Sequence, residues 1–570
     1  MERKKAMKTL FKNLHLINVF TDSIEDTEIL VDGSRIAGVG TEYTEADADE
    51  IKDLGGRYVC PGFIDAHMHI ESTMLLPEEV TRVCLPHGTT GVVADPHEIA
   101  NVCGTDGIRF MLEASAGLPL HFYFMIPSCV PATPFDESAA ILGAEQLEEF
   151  YNCDSVLGLA EMMNYPGVTA HDEEVLKKLR QAEQHGKIIN GHAPLLTGRA
   201  LDIYAYEGIG DDHECSNMKE ALEKLGKGQR ILIREGTSAK NLEGLLPLLD
   251  EPYNRRCLFC TDDRHPADLL ASGHIDNIIR KAVALGKDPV KAIRMATIQT
   301  AEYYGLKRTG AVAPGYCADF LILNEDLKLV EVEEVYIAGE KTAENGKTLS
   351  IGSPAVSQKL KEKVSASFHL DRITPEDFIV KPESRTCRVI KVLPEQLLTE
   401  EWITELDFEK DNGIDRDRDI IKIAVCERHN NTGNIGLGYV NGMGMKKGAI
   451  ASSVSHDSHN IVVIGTNEAD MAFAVERIKA IGGGCVAAEN EKVLAELPLP
   501  IAGLMSDQKA ETVAALNKDL RTAAASLGRA EGIEPFMNTS FASLCVIPAL
   551  KMSTHGLVDV LKFRQVSLFA

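Results

Sequence analysis

Two histidines one residue apart, His67 and His69, close the apolar run YVCPGFIDAHMH at residues 58–69. On an extended strand, side chains at i and i+2 share a face, so both imidazoles can reach one metal ion. Four more residues of metal-binding or proton-moving type stand at the ends of later apolar runs: Glu161 in SVLGLAEM, His192 in KIINGHAP, His213 in GIGDDHEC and Asp262 in CLFCTDD. Any one of them, taken singly, is more often structural than a ligand. Six arriving at the same end of the right strands is improbable by chance, because a closed parallel sheet would converge them on one mouth. Four imidazoles and two carboxylates suit a divalent transition ion, two of them when Glu161 and a water bridge. Imidazole favours Zn, Fe, Cu or Ni, and carboxylates also admit Mn. Such ions lower the pKa of water toward neutrality, and Asp262 could accept the released proton and pass it to a leaving group.

The elements that must position these groups are eight short apolar runs, at 58–69, 89–98, 120–128, 155–162, 187–194, 208–215, 230–237 and 257–263. Helical patterns such as EEVLKKLRQAEQHG and SAKNLEGLLPLLD separate them, the latter with Ser238 as its N-cap. Strand and helix alternating eight times predict an α/β chain built on a (β/α)8 TIM barrel at residues 59–305. Short alternating strands flank it at 8–58 and 310–350 and read as two halves of one small β-sandwich, divided as 1–58 and 306–354. From 355 to 570 the pattern changes to a further α/β domain, with IIKIAVCE and HNIVVIG as buried strands and EADMAFAVERIKAIGG as a helix.

Other polar residues at the expected mouth are candidates for holding substrate: Glu71 just past the histidine pair, Asp95, His97 and Glu98 in ADPHE, and Glu235 at the end of strand seven. In the C-terminal region His456, Asp457 and His459 in SHDSHN could cap the site. Cys257 and Cys260 form a lone CxxC whose members face opposite sides of a strand, so they read as buried thiols. Gly482–Gly484 lacks the lysine and context of a phosphate loop and reads as a turn.

Length and charge set the outer bounds. The chain has 570 residues and 59 Lys+Arg against 85 Asp+Glu, a formal net charge of −26, which argues against binding a nucleic-acid backbone. No run approaches 18 apolar residues, so no membrane span is expected. The basic start MERKKAMKTLFKN has no apolar signal segment after it. Thirteen cysteines without framework spacing fit reduced thiols, and a cytoplasmic protein is expected.

PGFIDAHMHIE, GHAP, TDD and APGYCADFLIL together resemble the amidohydrolase superfamily. Within it, HMHIESTM, GTTGVVADPHEIANV, GLAEMMNYPGV, INGHAP, TDDRHP and the C-terminal GAIASSVSHDSHNIVVIGTNEADM resemble the bacterial-type adenine deaminases. The resemblance covers nearly the whole chain. It implies that His67 and His69 hold a first ion, that Glu161 bridges, and that His192 and His213 serve a second. Asp262 would be both ligand and proton shuttle. It further implies a binuclear Mn or Fe centre, with Zn as an alternative, a purine base as substrate, hydrolytic deamination of adenine at C6, and a homo-oligomer, dimer or larger. Many binuclear relatives carry a carboxylated lysine where this chain has Glu161, which favours a deaminase over a cyclic amide or amidine hydrolase, the alternative on the same scaffold.

Overall fold

The computed structural model describes residues 7–570 apart from Ser238, Glu395 and Leu397. The two flanks come together, but in one continuous sheet where the sequence predicts a sandwich, because Glu50–Pro61 pairs directly with Phe320–Leu323. Strands Lys8–Asn18, Ser23–Asp32, Arg35–Val39 and Glu50–Pro61 share one continuous eight-stranded sheet with Phe320–Leu323, Val332–Ile337, Glu340–Glu344 and Lys347–Thr348. The seam is the antiparallel pairing of Glu50–Pro61 with Phe320–Leu323, in register Val59 to Ile322 and Cys60 to Leu321. Inward residues of both halves close a core in which Phe11 meets Phe320 and Tyr336 edge-on and the latter two stack at 4.7 Å. Because Glu50–Pro61 runs directly toward Phe63, this sheet anchors the first barrel strand.

Eight parallel strands follow: Phe63–Met68, Thr89–Ala94, His121–Ile126, Val156–Met162, Ile188–Gly191, Asp211–Asp212, Arg230–Arg234 and Cys257–Cys260. They pair as an arc of five and an arc of three. Gly210 N donates to Ile189 O at 3.0 Å across one seam, and Asp262 N donates to His67 O at 2.9 Å across the other. The result is a TIM-barrel-like α/β fold. Leu232, Leu258 and Cys260 point inward with Ala66, Val93, Met125 and Ala160, while Ile231, Ile233, Cys257 and Phe259 point out to the helices.

The helix Glu173–Gln184 forms where the sequence predicts one. Asp172 caps it by accepting Val175 N at 3.0 Å, and Val175, Leu176, Leu179 and Ala182 make its buried stripe. The segment SAKNLEGLLPLLD differs from expectation. It folds as turns with one short 3-10 helix, Leu246–Leu249. Pro247 has no N–H to donate to a continuing helix. Asn241 is also diverted, accepting Arg234 N at 2.7 Å and donating to Cys215 O at 3.0 Å. The expected cap Ser238 lies outside the described residues.

The C-terminal region contains a second eight-stranded sheet, whose central strands include the wholly buried Ile420–Cys426 and Ile461–Gly465. Helix Glu468–Ala480 packs on it, and helix Ala510–Ser526 reaches back to the barrel. One apolar core runs without interruption from barrel to C-terminal region. Polar ties reinforce it: Ser506 N to Met74 O at 2.9 Å, Ala510 N to Glu79 Oε2 at 3.0 Å, and Asn460 Nδ2 to Glu137 O at 2.8 Å. A chain ended at residue 354 would expose that core, so it is expected to be recovered insoluble or to melt at least about 10 °C below the full chain. A soluble truncated chain with an unchanged calorimetric transition would contradict this. Among the described residues no helix is long and apolar enough to cross a membrane.

Candidate metal centre and active site

The barrel brings the six strand-end residues into one buried cluster. Glu161 is central. Its Oε1 lies 3.3 Å from His69 Nε2 and 3.9 Å from His67 Nε2, and its Oε2 lies 2.6 Å from His192 Nδ1 and 3.2 Å from His213 Nε2. Asp262 Oδ1 lies 3.0 Å from His69 Nε2 and 3.3 Å from His67 Nε2. Asp262 sits past the end of strand eight with φ 56°, left-handed backbone that Asp tolerates better than bulky residues do. That turn lets its carbonyl accept His69 N at 3.2 Å, locking its side chain against the histidine pair.

These atoms fit divalent ions. His67, His69 and Asp262 present ligand atoms within 4.8 Å of one another, as do His67, Glu161 and His213. His67 Nε2 is buried and makes no hydrogen bond, a lone pair aimed at the carboxylates with nothing to accept. Burial tends to raise the Glu161 carboxyl, but the imidazoles around it, His192 foremost, hold it well below the usual carboxylate range. Asp262 is likewise raised by burial and overcome by the Arg234 guanidinium, then by His67 and His69. Both carboxylates are therefore anionic donors in a water-poor site. Burial, then the neighbouring His213, pushes His67 down, toward the neutral imidazole a metal requires.

Two buried networks fix the ligands. Asp65 accepts Thr261 N at 3.1 Å and His67 N at 3.2 Å, and its other oxygen accepts Thr261 Oγ1 at 2.5 Å and faces His274 Nε2 at 3.1 Å. It thereby ties strand one to strand eight beneath the ligands. Asp212 accepts Ala193 N at 2.9 Å and Glu214 N at 2.6 Å, so one carboxylate holds the residues beside both His192 and His213. The fully buried Lys224 pairs with it at 3.0 Å and with Glu220 at 2.7 Å. Lys224→Met would leave Asp212 charged and unpaired, and is expected to cost about 3–5 kcal/mol of stability. A denaturant midpoint equal to that of the unaltered chain would refute this.

The cluster floors a cavity. His97, Glu98, Glu214, Arg234 and Asp263 add polar groups from the barrel. His456, Asp457, Phe541, Leu544, Val546 and Ile547 reach in from the C-terminal region. His456 Nδ1 lies 3.1 Å from Glu98 Oε1, and its ring stacks on Phe541 at 5.0 Å.

Comparison with known proteins meets this geometry at both ends of the chain. Residues 58–342 match the amidohydrolase family model, and residues 396–564 match that of the adenine deaminase C-terminal domain. The chain is 46% identical over 561 residues to an adenine deaminase of Desulfatibacillum aliphaticivorans, covering 98% of this chain and 97% of that one. It is 45% identical to adenine deaminase 2 of Carboxydothermus hydrogenoformans, covering 99% and 97%. To the adenine deaminase of Thermosipho africanus it is 44% identical, again covering 99% and 97%. The chain belongs to the adenine deaminase family. That membership extends to the C-terminal region, whose side chains complete the cavity.

Of the residues the sequence singles out for substrate, His97 and His456 line the cavity of this family member. Asp95 stands behind His97, facing its Nδ1 at 3.0 Å. Glu71 is buried one layer further back, accepting Ile99 N at 3.1 Å, and burial beside Glu98 pushes it up to about 8. Glu235 is not brought in. Its carboxylate pairs with Lys281 at 2.7 Å and accepts Leu242 N at 3.3 Å. The reason is strand parity: Leu232 faces the barrel interior, so Arg234 does too, and Glu235 turns to the helices. Arg234 contacts Asp262 and lies 2.6 Å from Glu214. Arg234, Glu214 and Asp263 are not among the residues singled out above; their sequence signals are the parity of RILIR and adjacency to His213 and Asp262.

Proposed function

We propose that this chain is a metal-dependent adenine deaminase, converting adenine and water to hypoxanthine and ammonia. The observation that carries the reading is Glu161, seated between the pairs His67–His69 and His192–His213 with Asp262 alongside. His67, His69 and Asp262 would hold one divalent ion, His192 and His213 the other, and Glu161 would bridge them. Mn or Fe suits this imidazole and carboxylate set, with Zn as an alternative. Ions bound there would make hydroxide available near neutral pH for attack at C6.

The chain's own groups do the rest. Asp262 takes up the proton released at attack and returns it to the amino nitrogen, which leaves as ammonia. Arg234, held by Glu214, keeps the Asp262 carboxylate anionic until then. Glu98, Asp263 and His456 line the same wall and offer hydrogen-bonding partners to the ring nitrogens. Phe541, Leu544 and Met163 give the flat apolar surface a purine needs and exclude water.

The reading extends to a cytoplasmic enzyme of purine salvage, supported by thirteen free and mostly buried cysteines, and to a homo-oligomer. It divides the chain into a β unit of residues 1–58 and 306–354, a barrel of 59–305 and a C-terminal domain of 355–570. The test of the reading is substrate competition. Ammonia release from adenine, with no product from hydantoin or dihydroorotate, is expected, and turnover of the cyclic amides with none of adenine would overturn it.

A further inference from the structure

The cavity has a polar half and an apolar half. Barrel strand ends make the first. The second comes largely from one coiled segment of the C-terminal region. Phe541 ends the helix Pro535–Phe541, and Leu544, Val546 and Ile547 follow in turns closed by Ser543 N to Ser540 O at 3.2 Å and Ile547 N to Leu544 O at 3.3 Å. Phe541 and Leu544 are buried, whereas Val546 and Ile547 are partly exposed, so the segment runs from the cavity interior to its rim. It is pinned from both sides: Phe541 stacks on His456, and its carbonyl accepts Lys551 Nζ at 2.8 Å.

The orientation of a bound base follows from the chemistry. C6 has to lie against Glu161 and Asp262. N9 sits on the five-membered ring, across the bicycle from C6, and so points away from Glu161 and Asp262; Phe541, Leu544, Val546 and Ile547, beside His456 and Asp457, supply most of the apolar lining there is to meet it. We infer that segment Phe541–Ile547 covers the N9 edge and selects unsubstituted 6-aminopurines against 9-substituted ones; this rests on the adenine deaminase reading. Hydrogen at N9 leaves these side chains packed on the ring. A methyl or larger group there has to displace Leu544, Val546 or Ile547, and closely packed side chains resist added volume. Selection is thus by exclusion, through residues that touch no reacting atom.

The test compares kcat/KM for 9-methyladenine and for adenine in the full-length, metal-loaded enzyme and in Leu544→Ala and Ile547→Gly. The ratio of the two is expected to rise at least about tenfold in one or both variants, the scale of a misfit of one methyl-sized group. A ratio within about twofold of the unaltered enzyme in both variants would overturn the inference. Where a folded variant turns over too slowly, calorimetric binding of the same two bases is judged by the same ratios. Failure of the unaltered enzyme to deaminate adenine would instead strike the proposed function, and it is read first in the same assay.

Discussion

Asp262→Asn is expected to lower turnover of adenine about 10⁴-fold while leaving the fold in place. The amide preserves the size of the side chain and a carbonyl that still accepts from Arg234, but it has no basicity with which to collect a proton. Arg234 keeps its second partner, Glu214, at 2.6 Å, so no guanidinium is stranded. The backbone turn that seats residue 262 is held by main-chain bonds to His67 and His69, which the substitution does not touch. A far-ultraviolet spectrum and melting temperature close to those of the unaltered enzyme should therefore accompany the loss. Turnover within tenfold of normal in metal-loaded Asn variant, about 1.4 kcal/mol of barrier, would remove Asp262 from proton transfer.

Glu161→Gln should be at least as damaging, and by a different route. The carboxylate lies within 3.9 Å of all four imidazoles through its two oxygens, so it reaches both halves of the cluster. Replacing one oxygen by an amide N–H presents a donor to a place that requires a lone pair. Metal content is expected to fall from two ions per chain to one or fewer, with turnover lower by about four orders of magnitude. Two ions bound with unaltered affinity in the Gln variant would contradict the bridging role.

The cluster was legible in the sequence because few residue types bind metals and because parallel barrel strands end on one side. HMH, GLAEM, GHAP, DDHE and TDD each supplied a ligand type at the end of an apolar run, and the structure gathers all of them. Glu235 shows where that logic stops. Being at a strand end is not enough: on strand seven the inward parity of RILIR falls on Arg234, whereas register shifts at Asp65/Met68 and Leu159/Met162 let His67 and Glu161 reach the mouth next to the inward Ala66 and Ala160. The flanking sheet was legible from alternation alone, since Phe11, Phe320 and Tyr336 fall on inward positions of both halves. The segment SAKNLEGLLPLLD misled because its apolar spacing suits a helix, while Pro247 and the tethered Asn241 favour turns. Leu544, Val546 and Ile547 were beyond reach. Apolar residues in an irregular turn carry no chemical signature, and only the packing of the C-terminal region on the barrel brings them to the cavity.

The most direct measurement counts metal and product together. Protein loaded separately with Mn, Fe and Zn, each assayed for bound ions, is given adenine, and hypoxanthine absorbance and ammonia are followed in the same samples. The account predicts two ions per chain and hypoxanthine and ammonia released one for one with at least one of the metals. Protein that holds two ions and releases neither product with any of the three would contradict it.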